Sequence, residues 1–335
     1  MIDPATQFLI QAEDIPKQPE DVRRWHGLQG AAFALAIHET ALAENRCILI
    51  IAEHSQSVQR LQQELAFFSG GAYPIDIFPD YETLIYDGFS PHQDILSDRL
   101  ALLSRAALDR AVVIVPAATL LLRLPPRAFL LGHNLRLQTG QRLDLSTLRR
   151  QLHASAYRAV DTVIEHGEFT VRGSVLDLFP MGAADPFRVE LFDDEIESIR
   201  TFDPETQLST GITDAIDTLP AREFPLSKEG IRLFQDQWHE QFGGNPRDCR
   251  MYQDVAQGQA PAGIEYYLPL FYTETETLLN YLPADLLLIT EAIANPIQSY
   301  WETARSRYES LRYDLERPIL PPEVLLLAED ELMGL

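Results

Sequence analysis

The hydrophobic pattern changes its period partway along the chain, and this change constrains the fold more than any other feature. Within residues 47–123, short apolar runs such as 47–52 (CILIIA) and 111–115 (AVVIV) are each followed by a segment with helical spacing. In residues 55–68, for example, apolar side chains recur every three or four positions, and a glycine pair ends the segment. Strands that alternate with helices predict a parallel sheet covered by helices.

From Glu168 onward, apolar and polar residues alternate instead. The runs EFTVRGSVLDLFP, FRVELF and IESIRTF have the length and spacing of strands in hairpins, which predicts a small antiparallel α+β domain. An acidic pair, Asp193 and Asp194, follows the second run and resembles the magnesium-holding acids of a nucleoside triphosphatase. Because Asp tolerates turn conformations and another strand pattern follows at once, a hairpin turn is the favoured interpretation.

The last third of the chain is mixed. Helical spacing covers residues 228–241, and residues 286–290 (LLLIT) predict a strand that returns to the first sheet. Earlier, Ser90 before Pro91 and Gln93 predicts a helix start with Ser90 as the N-cap. The fold class expected is therefore α/β and multi-domain: a parallel-sheet domain at residues 1–128, a small α+β domain at 129–219, and a third mixed domain at 220–335.

The charge balance argues against nucleic acid as a partner of this segment. The formal net charge is −23, and generic DNA binding needs clustered Lys and Arg to neutralise phosphates. We therefore expect no strong DNA binding by this chain, although the net charge does not exclude a local basic patch. Only two cysteines are present, and no apolar stretch has the length of a membrane helix. A cytoplasmic protein without membrane attachment is expected.

One segment has the position of a phosphate-binding loop but not its chemistry. Gly27 and Gly30 precede a helical run, as in such loops, yet the last three places hold Ala32, Phe33 and Ala34. A working loop has three particular residues there. Glycine lets the backbone approach the phosphates, lysine neutralises their charge, and a hydroxyl residue binds magnesium. We expect a degenerate, non-functional nucleotide loop. The histidines are scattered and no Cys-x-x-Cys occurs, so no metal, cofactor or catalytic residue is predicted.

Period-two alternation places a set of arginines and one aromatic ring on a common sheet face. If Val189 and Leu191 face the core, Arg188 and Phe192 point outward. The same argument directs Arg172 and Arg200 outward. Arginine and aromatic residues are enriched at interface hot spots, so this face is a candidate for docking a protein. A solvated face with one incidental exposed ring is the alternative.

Several motifs then resemble one family, the bacterial transcription-repair coupling factors (Mfd). The similarity covers nearly the whole chain and is carried by residues 78–84 (FPDYETL), 87–94 (DGFSPHQD), 166–173 (HGEFTVRG), 177–180 (DLFP), 192–196 (FDDEI) and 261–266 (PAGIEY). The family proteins are much longer, and their RNA-polymerase-binding and ATP-driven translocase domains lie beyond this part. The resemblance is to the N-terminal module that is homologous to the excision-repair protein UvrB, with domains called 1A, 2 and 1B.

The resemblance implies a partner and its contact residues. Domain 2 in this family binds the damage-recognition protein UvrA, and the family's contact positions correspond to Arg172, Arg188 and Phe192, with Arg200 as a related arginine. RNA polymerase and DNA would be partners only through later domains. Compared with UvrB, this chain lacks the Gly-Lys-Thr ending of the phosphate loop, and residues 81–91 carry no dense aromatic run like that of the DNA-clamping hairpin.

Three functions follow as alternatives. The first is a non-catalytic adaptor that recruits UvrA to RNA polymerase stalled at a lesion, in transcription-coupled nucleotide excision repair. The second is an ATP-dependent DNA-damage clamp like UvrB, which the degenerate loop disfavours. The third is a scaffold that holds later motor domains in a resting state, which is compatible with the first.

Overall fold

Strands and helices alternate in the first part of the chain and strands dominate the middle, as the two hydrophobic periods predict. The structure is a computed structural model, and it describes residues 9–18, 21–105, 110–243, 245–283, 285, 287–290, 293–328 and 331–332. The strands are β1 Ile48–Ala52, β2 Ile75–Ile77, β3 Val112–Pro116, β4 Leu135–Gln138, β5 Arg158–Ala159, β6 Glu168–Arg172, β7 Val175–Leu178, β8 Phe187–Phe192, β9 Glu195–Phe202, β10 Ser209–Thr213, β11 Ala215–Thr218 and β12 Leu287–Thr290.

The helices vary from one turn to five. They are α1 Ala32–Ala43, α2 Ser55–Ser69, α3 Gln93–Ser104, α4 Ala117–Leu120, α5 Arg127–Gly132, α6 Leu145–Ala154, α7 Lys228–Gln241, α8 Arg250–Ala256, α9 Leu278–Tyr281, α10 Ala294–Leu311 and α11 Pro322–Leu325, with 3-10 turns at Ala12–Asp14, Pro246–Asp248 and Ile264–Phe271. No helix in these described ranges is long and apolar enough to cross a lipid bilayer.

The chain divides into two compact units, each built from separate segments. The first comprises Met1–Asp80, Arg105–Leu121 and Leu278–Tyr300, and the second comprises Tyr81–Ser104, Leu122–Thr277 and Trp301–Leu335, within the described residues. The three domains expected at 1–128, 129–219 and 220–335 stay a prediction beside this division.

The first unit contains the parallel sheet that the strand–helix alternation predicts. Its strand order is β12-β1-β3-β2, and all three pairings are parallel. Every residue of β1 and β3 is buried, because helices cover both faces of a parallel sheet. The late strand β12 pairs with β1, so residues far along the chain complete this sheet. Likeness to a P-loop NTPase fold stays a prediction.

The second unit contains a six-stranded sheet with the order β10-β9-β8-β7-β6-β5. Its neighbours are antiparallel except β5 and β6, which run parallel. The hairpin predicted at Asp193-Asp194 is confirmed: Phe192 pairs with Glu195 across it, and Asp193 adopts a left-handed φ of 55°. Val189 and Leu191, which were expected to face the core, are buried, and so is Ile199 next to Arg200.

The predicted N-cap at Ser90 is wrong, because other groups engage the Ser90 hydroxyl. Helix α3 begins only at Gln93. The Ser90 Oγ donates to Glu265 at 2.7 Å and accepts the Gly263 N–H at 3.1 Å. Gly263 has a φ of 78°, and a Cβ there would lie 2.5 Å from the Asp87 carbonyl oxygen, so only glycine fits this contact.

A buried ion pair joins α3 to the segment after β11 in the second unit. Arg99 Nε lies 2.7 Å from Glu223 Oε1, and both side chains are at most 1% exposed. The Tyr81 hydroxyl donates to the other carboxylate oxygen, and the Arg99 guanidinium stacks on the Tyr81 ring at 4.2 Å. Burial, together with the Glu223 charge, raises the pKa of Tyr81 well above its usual value. The phenol therefore stays protonated and donating.

We predict that Arg99→Met destabilises the protein by about 3–5 kcal/mol, because it leaves the Glu223 carboxylate buried without its cation. The double variant Arg99→Met/Glu223→Met should recover most of this loss. Urea unfolding measures both. The control is Arg136→Met, which breaks an exposed pair with Asp217 and should change stability by no more than about 0.5 kcal/mol. A loss below about 1 kcal/mol for Arg99→Met would contradict the assigned role of the pair.

Candidate functional site

A buried carboxylate organises the outer face of the six-stranded sheet. Asp177 lies in the middle of this face on β7, and its side chain is only 1% exposed. It pairs across the sheet with Thr170 on β6 and with Arg188 on β8. A charge so deeply buried needs compensating partners. Two arginines supply them.

Arg188 and Arg172 both bind Asp177, but in different ways. Arg188 makes a two-point contact, with Nε 2.7 Å from Oδ1 and Nη2 3.0 Å from Oδ2. Arg172 adds one bond, from Nη2 to Oδ2 at 2.8 Å. The carboxylate therefore accepts three charge-assisted hydrogen bonds, which are stronger than neutral ones.

Arg188 is held in place more firmly than an ordinary surface arginine. Its guanidinium stacks on the buried Phe202 ring at 4.9 Å, and its side chain is 22% exposed. Hydrogen bonding to Asp177 raises the pKa of Arg188 above its usual value. The guanidinium is therefore charged at every physiological pH. Alternation correctly assigned Arg188 to the outer face, but the structure places it largely within its own domain.

Arg172 and Arg200 keep more of their donors available. The side chain of Arg172 is 57% exposed and donates one hydrogen bond to Asp177. Arg200 lies directly across from Arg188, is 43% exposed, and approaches Glu190 only to 3.8 Å. These two arginines can therefore offer N–H groups to a carboxylate from outside the domain.

Phe192 supplies the apolar part of the face. It ends β8 and is 69% exposed, on the same side of the strand as Arg188 and Glu190. Ile212 on β10, opposite Arg200, is also exposed. We call Arg172, Arg188, Arg200 and Phe192 the arginine face. The structure brings these four residues onto one side of one sheet.

The residue that sequence reasoning missed is Asp177. It lies in the segment DLFP, between two apolar residues of a strand, where a carboxylate breaks the apolar run. That break was the available signal, since a charged residue in a central strand needs a partner on each side. The two arginines predicted on neighbouring strands are those partners.

The candidate phosphate loop lies in the first unit and contains two left-handed glycines, Gly27 and Gly30. The Ala32 N–H donates to the Gln29 carbonyl at 3.2 Å, so this donor closes a turn. Phe33 packs against the hydrophobic core of the unit, and Ala34 is fully buried. The place at which a lysine would meet phosphate thus holds a ring that packs inward.

The described residues contain no group of three or more His, Cys, Asp or Glu side chains able to hold a metal ion. The arrangement of the arginine face likewise offers no nucleophile or general base. The four side chains supply guanidinium N–H groups and one exposed aromatic ring, which are the groups that protein interfaces favour.

Comparison with known proteins gives a class to the domain that carries this face. Residues 135–224, which contain the whole six-stranded sheet, match the UvrB interaction domain. Relatives similar to nearly the whole chain are the transcription-repair-coupling factors of Haemophilus influenzae, 42% identical over 321 residues, and Escherichia coli, 42% identical over 323 residues. The factor of Bacillus subtilis is 25% identical over 285 residues, or 80% of this chain and 24% of that protein.

The second unit therefore includes a domain of the UvrB interaction class. The chain belongs to the transcription-repair-coupling factor family. It matches over 95–96% of its own length and spans about 28% of the length of the first two relatives.

We predict that Asp177→Asn lowers stability by about 2–3 kcal/mol, because Arg188 then loses the charge that its largely buried guanidinium requires. Chemical denaturation measures the loss. Glu190→Gln, an acid on the same face whose side chain is 36% exposed, is the matched control and should stay within about 0.5 kcal/mol. Equal effects of the two changes would show that Asp177 has no special role.

We also predict that the protein does not bind ATP, because the loop at residues 27–34 lacks the lysine and hydroxyl and directs Phe33 into the core. Isothermal titration with ATP and magnesium should give no saturable heat. Saturable binding in the micromolar range, abolished by a bulky substitution at Gly30, would overturn this prediction and favour the clamp function.

Proposed function

We propose that this chain is the UvrA-docking module of a transcription-repair coupling factor. The observation that carries the proposal is the arginine face: two arginines fixed on a buried Asp177, with Phe192 exposed nearby. It lies in the segment that matches the UvrB interaction domain. In transcription-coupled nucleotide excision repair, the module would bring UvrA to RNA polymerase stalled at a lesion.

The proposed division of labour follows from exposure and bonding. Arg172 and Arg200 have exposed guanidinium groups and would bind carboxylates of UvrA. Phe192 would enter an apolar depression on the partner and exclude water, which strengthens the charge pairs around it. Arg188, bound at two points to Asp177, would keep the positive face in position and contribute its charge.

The proposed function needs no catalysis by this segment. Neither the arginine face nor the loop at residues 27–34 offers groups for nucleotide hydrolysis, and the acidic balance of the chain opposes DNA binding by it alone. RNA polymerase contact and DNA translocation are assigned to parts of the full protein outside this chain. A protein located in the cytoplasm, with UvrA as its direct partner, fits this role.

We predict that Phe192→Ala and Arg172→Ala each weaken UvrA binding by about 1–3 kcal/mol, the range of good interface residues. Both residues are exposed, so unfolding free energies should change by about 0.5 kcal/mol or less. Biolayer interferometry with immobilised UvrA measures the binding.

Two matched variants control for residue type. Phe67→Ala removes a phenylalanine that is even more exposed, 82% against 69% for Phe192, on α2 of the first unit. Arg136→Ala removes an exposed arginine within residues 135–224. Both should bind UvrA like the wild type. The proposed function fails if wild-type protein does not bind UvrA, or if the Phe192 and Arg172 variants bind as tightly as the two controls.

A further inference from the structure

A pocket opens at the edge of the six-stranded sheet, beside the arginine face. Its volume is about 460 Å³, and it is lined by Arg149, residues 159–161 and residues 169–172. The pocket exists because β5 is shorter than β6. The short strand β5 ends at Ala159, while its parallel neighbour β6 continues to Arg172. The pocket occupies the space along β6 that a longer β5 would fill.

Arg149, on helix α6, contributes a cation that the protein does not neutralise. It is exposed, and no ion pair within the described residues involves it. The pKa of His153, one turn along the helix, is lowered first by burial of the imidazole and second by the positive charge of Arg149.

Arg172 connects the pocket to the arginine face. Arg172, whose side chain donates to Asp177, is also one of the residues that line the pocket. One acid, Asp161, lines it as well, but no ion pair in the described structure joins Asp161 to either arginine. The lining therefore carries two positive charges and one negative charge, and its excess is positive.

We infer that this pocket binds an acidic side chain of the protein docked on the arginine face, with its carboxylate between Arg149 and Arg172. This inference rests on the proposed function, because it extends the same docking surface by one subsite. An unneutralised planar guanidinium is suited to grip a carboxylate with two parallel hydrogen bonds. The volume exceeds what one carboxylate needs and admits the extended segment that carries it.

Binding kinetics test the subsite. Arg149→Ala should raise the rate of dissociation from UvrA about tenfold, since a seated charge contact acts mainly on dissociation. The matched control is Arg150→Ala, on the next position of the same helix. Arg150 donates to Thr147 and does not line the pocket, and its loss makes the same change in net charge. The dissociation rate of this control should stay within about twofold of wild type.

The outcomes separate the subsite from the proposed function. If Phe192→Ala weakens binding as predicted while Arg149→Ala dissociates like Arg150→Ala, the docking function stands and the subsite is wrong. An effect of Arg149→Ala confined to the association rate, and removed by added salt, also overturns the subsite, because it indicates only long-range attraction. If wild-type protein does not bind UvrA, both proposals fall.

Discussion

The contact between Asp177 and its two arginines is the constraint on which the outer sheet face depends. A carboxylate in the middle of a six-stranded sheet is costly unless it is fully paired. Arg188 and Arg172 pair it from the strands on either side. The requirement works in both directions: the arginines satisfy the acid, and the acid fixes where their positive charge lies. The arginine face thereby acquires defined geometry from side chains that would otherwise be flexible.

The arginine face also explains how an acidic protein can present a cationic surface. The chain carries a formal charge of −23, yet Arg172 and Arg200 expose their guanidinium groups on this sheet face, while Asp177, the acid that binds Arg172, is buried. Screening limits the influence of distant acids to about 8–10 Å at physiological salt. At contact distance, a partner's carboxylates therefore meet the local charge rather than the net charge of the chain. Composition alone excludes generic DNA binding more readily than it excludes a specific acidic partner.

Much of this organisation could be predicted from the sequence, because the hydrophobic period reports which face of a strand is buried. The parallel and antiparallel sheets, the hairpin at Asp193 and the outward direction of Arg172 and Arg200 all follow from it. The hydrophobic period of a strand does not show which group a polar side chain binds. It gave no partner for Arg188, and it assigned Ser90 to a helix cap although Glu265, far along the chain, receives its hydrogen bond. Contacts between distant segments leave no local pattern, and the pocket beside Arg149 arises from a difference in strand length that no pattern marks.

The position of β12 has a consequence for how the chain is made. The six-stranded sheet is drawn from one continuous stretch, β5 to β10, and can form as soon as that stretch leaves the ribosome. The parallel sheet lacks one edge strand until residues 287–290 have been synthesised, because β12 closes it against β1. During that interval the apolar edge of β1 is unpaired, and such edges are open to wrong partners. The six-stranded sheet can therefore form before the parallel sheet is complete, although three of the four strands of the parallel sheet precede it in the chain.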